Sequence, residues 1–156
     1  MKLDRFNRNI LQAIQLDGSL SQRELAKKVN LSANACWNRV QNLKQQDIIL
    51  GQSVRLNRKA IGLGLVVFVM VRTRHHSADW LKSFRAHVCK IPEVIDFFRI
   101  GGDYDYLLKV VTQDMQSYDD VYQRLISEVE LDSITSYFAM EAIEEQRPLP
   151  IHAIKD

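Results

Sequence analysis

Cysteine is scarce in this chain: two residues in 156, Cys36 and Cys89, far apart in sequence. That excludes a disulfide framework and fits a reducing, cytoplasmic compartment. No apolar run approaches the roughly 20 residues that a bilayer span needs, so no membrane partner is expected. The opening MKLDRFNRNI is interrupted by charge and holds no secretory h-region. Neither a phosphate-binding Gly-Lys loop nor a hydrolase elbow occurs. His75, His76 and His87 with Cys89 match no common zinc spacing and read as surface residues. Asp119-Asp120 reads as a solvated helix face rather than an acid–base pair. The chain is therefore not expected to be an enzyme, nor to carry a cofactor or a metal. What remains is a core-forming composition, 46% hydrophobic and 26% charged.

The charge is unevenly placed. Residues 1–60 hold 11 Lys and Arg against 4 Asp and Glu, a net +7; residues 61–156 carry a net −5, so the overall charge is only +2. A basic first part attracts phosphate, and an acidic second part is left for another task.

The first part reads as three helices. Asp4 can cap the first, with Phe6, Ile10, Leu11 and Ile14 as its apolar stripe. Asp17-Gly18 is a turn signal that ends it. Ser21 followed by Glu24 is a capping box, so a second helix starts there. Asn30 tolerates left-handed backbone angles and can end it. Ser32 can cap a third helix, in which Cys36, Val40 and Leu43 give a buried side and Cys36 is a small core residue. The other side carries Asn34, Asn38, Arg39, Gln41 and Gln45, with no carboxylate. Amides pair with adenine edges and guanidinium with guanine, which suits a recognition helix in a DNA major groove. The plainer reading is an ordinary solvated face. Trp37 either packs under this helix, the preferred reading, or lies on the phosphate backbone. Beyond it, Ile48–Leu50 and Gln52–Leu56 can form two short strands around Gly51, or one strand leading away. Arg55, Arg58 and Lys59 either touch phosphate or form a basic linker.

Gly62 and Gly64 mark a change of texture. Leu65–Val71 reads as a strand buried on both faces. Ser77 caps a helix carrying Leu81, Phe84, Val88 and Ile91, which Pro92 stops. Val94–Ile100 and Tyr106–Val111 are two more strands, antiparallel across the cluster Gly101-Gly102-Asp103-Tyr104-Asp105 if that turn is tight. A helix over Asp114–Val129 turns Tyr118, Val121, Tyr122, Leu125 and Val129 inward, and a fourth strand covers Ile134–Ile143. The tail with Pro148 and Pro150 is expected to be irregular. The fold class is α+β: a helix-turn-helix domain over residues 1–50, a linker strand or hinge over 51–62, a ferredoxin-like βαββαβ domain over 63–145, and a tail over 146–156. Two helices cover one face of such a sheet. Apolar residues on the other face call for a partner, most simply a second copy related by a two-fold axis.

Three stretches together resemble the Lrp/AsnC family of transcription regulators, the feast/famine regulators. They are LDRFNRNILQAIQLDGSLSQRELAKKVNLS, the linker into Leu56-Asn57 and Leu63-Gly64, and IGGDYDYLLKVVTQDMQSYDDVY with TSYFAMEAI. Two positions depart from the family pattern: Asp47, usually glycine there, and Asn38, often basic. Cys36-Trp37 and the stretch from Trp80 to Val94 resemble a subset, parts of which respond to cysteine or other small amino acids.

The resemblance implies a regulator that binds double-stranded DNA. On the helix-turn-helix reading of the residues, Ser21, Gln22, Ser32, Asn34, Asn38 and Arg39 are the expected contacts, with Arg39 as the phosphate or guanine partner. The resemblance also implies homodimers that often assemble into octamers, and an amino-acid effector bound between dimers. Carried over by position, the effector site is Ile100, Gly101, Gly102, Asp103, Tyr104, Asp105 and Ser136. The chemistry agrees. Glycine amides can approach a carboxylate closely, a carboxylate can take an ammonium group, and a serine adds a hydroxyl. A plain hairpin turn would use the same glycines without any ligand. Control of amino-acid metabolism genes by a cytoplasmic, nucleoid-associated protein follows as expectation. Two other classes stay open: an enzyme of amino-acid metabolism with a ligand domain of this fold, and an architectural protein that wraps DNA with little sequence choice.

Overall fold

The computed structural model describes residues 3–154. The chain divides into two compact units, one running to Leu56 and resuming at Glu144, the other Asn57–Ile143.

In the first unit, α1 (Arg5–Leu16) starts at Asp4, whose carboxylate accepts the Asn7 amide at 2.7 Å. Asp17 then folds the Asp-Gly turn by accepting from the Ser19 amide and hydroxyl at 2.9 and 2.6 Å. The capping box opens α2 (Gln22–Lys28): Ser21 Oγ accepts the Glu24 amide, and the Glu24 carboxylate accepts the Ser21 amide at 2.8 Å. Asn30, at φ 54°, ends α2 in the left-handed conformation anticipated for it. Ser32 caps α3 (Ala33–Gln45). The three helices close around Ile10, Leu11, Ala13, Leu25, Ala26, Val29, Cys36 and Leu43. Each fully buried Leu or Ile side chain there contributes about 1.5–3 kcal/mol.

The strands expected around Gly51 do not form; residues 50–57 have no regular structure. A strand needs a ladder to pair its backbone groups, and among the described residues no ladder includes this segment. Leu50, Val54 and Leu56 stay exposed as a result. The tail is more ordered than expected. It forms a 3-10 turn (Ile151–Ala153) and docks on α1, with the Leu149 amide donating to Gln15 Oε1 at 2.8 Å and Ile151 joining the first core.

The second unit is the expected split βαβ. Strands β1 (Leu65–Arg72), β2 (Val94–Arg99), β3 (Tyr106–Thr112) and β4 (Ser133–Phe138) form one antiparallel sheet in the order β2-β3-β1-β4. Helices α4 (Ala78–Val88) and α5 (Met115–Ser127) connect them, capped by Ser77 and Asp114. Val67, Val69 and Val71 of β1, Leu108 and Val110 of β3, and Phe84, Val88, Val121 and Leu125 of the helices fill the core. Phe84 is its hub, 4.9 Å from the Trp80 ring and 5.1 Å from the Tyr106 ring.

Three expectations need correction here. Only one face of β1 is fully covered in the single chain; on the other Val66 is buried but Phe68 is 36% exposed. β4 stops at Phe138 rather than Ile143, because β1 begins opposite it: Phe138 pairs with Val67, and little of β1 remains to pair with later residues. His87 is buried rather than at the surface, since it follows Phe84 by three residues and precedes Ile91 by four on the inward face of α4. Its Nε2 lies 2.8 Å from the Arg124 carbonyl and its Nδ1 3.1 Å from the Glu128 carboxylate.

Candidate functional site

The first candidate surface is the outward side of α3. At about 100° per residue, Asn34, Asn38, Gln41 and Gln45 fall in one row opposite the buried Cys36 and Leu43. Asn34, Asn38 and Gln45 are exposed, and Gln41 is half-buried. Ser21 and Ser32 spend their hydroxyls as helix caps. Gln22 Nε2 reaches the Ala33 carbonyl at 3.4 Å, tying the start of α2 to the start of α3. Arg23, Lys27 and Lys28 of α2 and Lys44 of α3 are exposed. Exposed cations suit phosphate, as the row of amides suits base edges.

Arg39 is not on that row. It sits three residues after Cys36 and four before Leu43, on the shoulder that turns toward α1. Its Nη1 donates to the Asp4 carboxylate at 2.6 Å and to Asn7 Oδ1 at 3.0 Å, and the guanidinium lies 5.3 Å over the Phe6 ring. The Asn7 amide above all, and then Arg39, hold the Asp4 carboxyl below its ordinary range. The spacing from Cys36 was the available signal. Trp37, expected to pack under the helix, is 46% exposed at the rim of a hollow lined by Leu20, Leu25, Val40 and Ile49. Of the basic residues beyond α3, Arg55 donates to the Glu145 carbonyl and Arg58 to the carbonyls of Leu63 and Gly64, while Lys59 is exposed.

The second candidate surface is the turn between β2 and β3. The Ile100 amide closes it on the Asp105 carbonyl at 2.9 Å, and the Asp105 amide donates to Val71 at 2.9 Å. The Asp105 carboxylate accepts the amide of the buried Thr73 at 2.8 Å. Arg72 Nε donates to the Asp103 carbonyl at 2.7 Å, and its guanidinium lies 5.4 Å over the Tyr104 ring. The Tyr104 hydroxyl meets Thr135 Oγ1 at 3.3 Å. That bond, with another to Tyr137 and the Arg72 charge, lowers the Tyr104 phenol below its ordinary range. Asp105 is thus an anchor of the turn, whereas Gly101, Gly102 and the Asp103 carboxylate are exposed. Gly102 has φ 129°, a conformation open to glycine and strained for other residues.

Ser136 is not brought to this turn within the chain. Its hydroxyl bonds Tyr118 on the helix-covered side of the sheet, while Thr135, one residue earlier, faces Tyr104 on the open side. Alternation along a strand places neighbours on opposite faces. Thr73, Arg72 and Thr135 were missed because their closeness to the turn follows from the register of β1, in which Val71 pairs with Tyr106 and Ile134. Period alone does not give that register.

Two family models match the chain, one in each half. Residues 3–49 match the family model of a winged helix-turn-helix DNA-binding domain, and residues 66–149 match that of the Lrp/AsnC ligand binding domain. The chain belongs to the Lrp/AsnC family. It is 43% identical over 150 residues to the DNA-binding transcriptional activator DecR of Escherichia coli, covering 96% of this chain and 99% of that protein. An AsnC family transcriptional regulator from Agrobacterium tumefaciens has the same fold with a TM-score of 0.93 at 40% identity, over 97% of this chain and 99% of the other. A transcriptional regulator from Neisseria meningitidis, solved in complex with L-Met, superposes with a TM-score of 0.90 at 32% identity, over 98% and 100% of the two chains. This Lrp/AsnC chain is therefore a DNA-binding transcription regulator with a ligand-binding domain, not an enzyme. Among the described residues no helix is long and apolar enough to cross a membrane, and no three His, Cys, Asp or Glu side chains converge as a metal site would need.

Proposed function

We propose that the chain is a sequence-specific transcription regulator whose DNA binding responds to a small amino acid and which controls genes of amino-acid metabolism in the cytoplasm, on the nucleoid. The α3 row docks in the major groove of palindromic half-sites. Asn34 and Asn38 meet base edges, and Ser21, Gln22 and Ser32 lie at the helix starts beside the backbone. Arg39 acts from behind by fixing α3 to α1. The open sheet face makes a homodimer, and dimers assemble further to an octamer, with the effector between dimers.

The observation that carries the effector reading is the β2–β3 turn. Thr73, Arg72 and Val71 hold it from one side through Asp105 and two backbone groups, which leaves the Gly101 and Gly102 backbone and the Asp103 carboxylate exposed. Such a turn offers amides to an α-carboxylate and a carboxylate to an α-ammonium group. The L-Met complex of the Neisseria meningitidis regulator supports an amino acid as the ligand class. Ser136 joins the site only if another subunit brings it there.

The test is a dose-response of DNA binding to each amino acid with three variants. Asp103→Ala and Gly102→Val should blunt the response by tenfold or more in effector concentration, about 1.4 kcal/mol of lost binding, while the DNA-binding unit stays folded. Gly101→Ala should fold normally, because a Cβ there meets nothing within 4 Å. An unchanged dose-response in both Asp103→Ala and Gly102→Val would remove the effector from this turn.

A further inference from the structure

The outward row of α3 offers amides, and its only guanidinium is elsewhere. Asn34 and Asn38 face solvent, Gln41 and Gln45 continue the row, and no cation stands among them. Arg39 points across the helix to α1, bonded to the Asp4 carboxylate at 2.6 Å and to Asn7 at 3.0 Å. Its side chain is 32% exposed. A guanidinium reads guanine by donating to O6 and N7 together. Asp4 and Asn7 already supply Arg39 with acceptors of that kind, so leaving them for a base exchanges bonds without gaining any. A primary amide has one acceptor and one donor side by side. That pair matches the N6 donor and N7 acceptor of adenine.

The spacing agrees. Asn34 and Asn38 are separated by four residues, about 6 Å along the helix. Base pairs repeat at about 3.4 Å, so the two amides reach positions about two steps apart. Arg23, Lys27 and Lys28 of α2 and Lys44 of α3 are exposed in the same unit, and exposed cations of this kind supply the charge for phosphate contacts. Resting on the DNA-binding reading above, we infer that this regulator reads adenine and not guanine through α3, with Asn34 and Asn38 as the specificity-determining residues and Arg39 outside base recognition.

The experiment is selection of binding sites from duplexes with a randomised core, using the full chain and the variants Asn34→Ala, Asn38→Ala, Asn38→Arg and Arg39→Ala. The wild type should enrich A·T pairs at two positions about two steps apart in each half-site. Asn38→Ala should relax one of these by about tenfold in preference, and Asn34→Ala the other. Asn38→Arg should move its position to G·C. Both asparagines are exposed, so these three variants should melt like the wild type, which separates base reading from unfolding. Arg39→Ala, assayed at a temperature where circular dichroism shows it folded, should keep the A·T preference. Guanine enriched at these steps by the wild type and lost in folded Arg39→Ala overturns the inference and leaves sequence-specific DNA binding intact. No enriched sequence at all overturns both.

Discussion

Asp47 stands just past the end of α3 with φ 54°, and the following Ile48 amide donates back to the Leu43 carbonyl at 3.0 Å. This is the left-handed close of a helix, where glycine carries no Cβ penalty and aspartate is tolerated at a cost. The sequence marks the position as a departure from the family's usual glycine, and the backbone gives the reason glycine is usual. Asp47→Gly should therefore raise unfolding stability by about 0.5–1 kcal/mol, seen as a higher urea midpoint with the same slope. A lower midpoint would mean that the aspartate side chain makes a compensating bond. Asn30 meets the same demand at the end of α2, and there the residue type announces its conformation. Arg39 did not announce its role in the same way. Its charge suggested DNA, and only its spacing from Cys36 places it toward α1.

Helix ends carry much of the order in the first unit, and three of its carboxylates are tied up there. Asp4 is held by the Asn7 amide and Arg39, Asp17 by Ser19, and Glu24 by Ser21, and each is lowered below its ordinary range by those donors. A group with a lowered folded pKa contributes stability above its unfolded value, and that contribution is lost as pH falls through the folded value. The ordinary values are near 4. The melting temperature of the first unit should thus be flat from neutral pH down to about 5 and fall below about 4. Asp4→Asn, which still caps α1 but cannot pair ionically with Arg39, should make that fall shallower. A profile as steep as the wild type's would detach the acid response from the Asp4–Arg39 pair.

The elements themselves were legible. Among the described residues, helical periods marked the five α-helices, and short apolar runs bounded by turn signals marked the four strands. Errors gathered where an element depends on a neighbour. β4 ends with the available length of β1, the expected linker strand has no ladder in this chain, and the tail finds order by docking on α1. At the candidate effector site the turn was legible from its glycines, whereas Thr73 and Thr135 depend on sheet register.

At the scale of the whole molecule, two properties ask for partners: the basic first part and the uncovered sheet face. Phe68 lies near the middle of that face, with Phe98 and Tyr137 each 53% exposed on the outer strands. In the proposed homodimer a second copy removes this surface from water and supplies a second α3 for a second half-site. Phe68→Glu should lower the solution mass by light scattering toward the 18.1 kDa of one chain. Lys109 pairs with position 68 across the ladder, so the carboxylate has a cation beside it and circular dichroism should be unchanged. An unaltered mass would remove the proposed dimer contact from this face.

The most direct measurement is binding of the purified chain to the DNA upstream of its own gene and to a scrambled duplex, at fixed salt, titrated with the twenty amino acids singly. Light scattering records the mass in the same samples. Specific binding at least about a thousandfold tighter than to the scrambled duplex is expected, shifted by one or a few small amino acids together with a change in mass. Equal affinity for the two duplexes with a steep salt dependence, and no response to any amino acid, would contradict a ligand-responsive, sequence-specific regulator and leave a protein that coats DNA by charge alone.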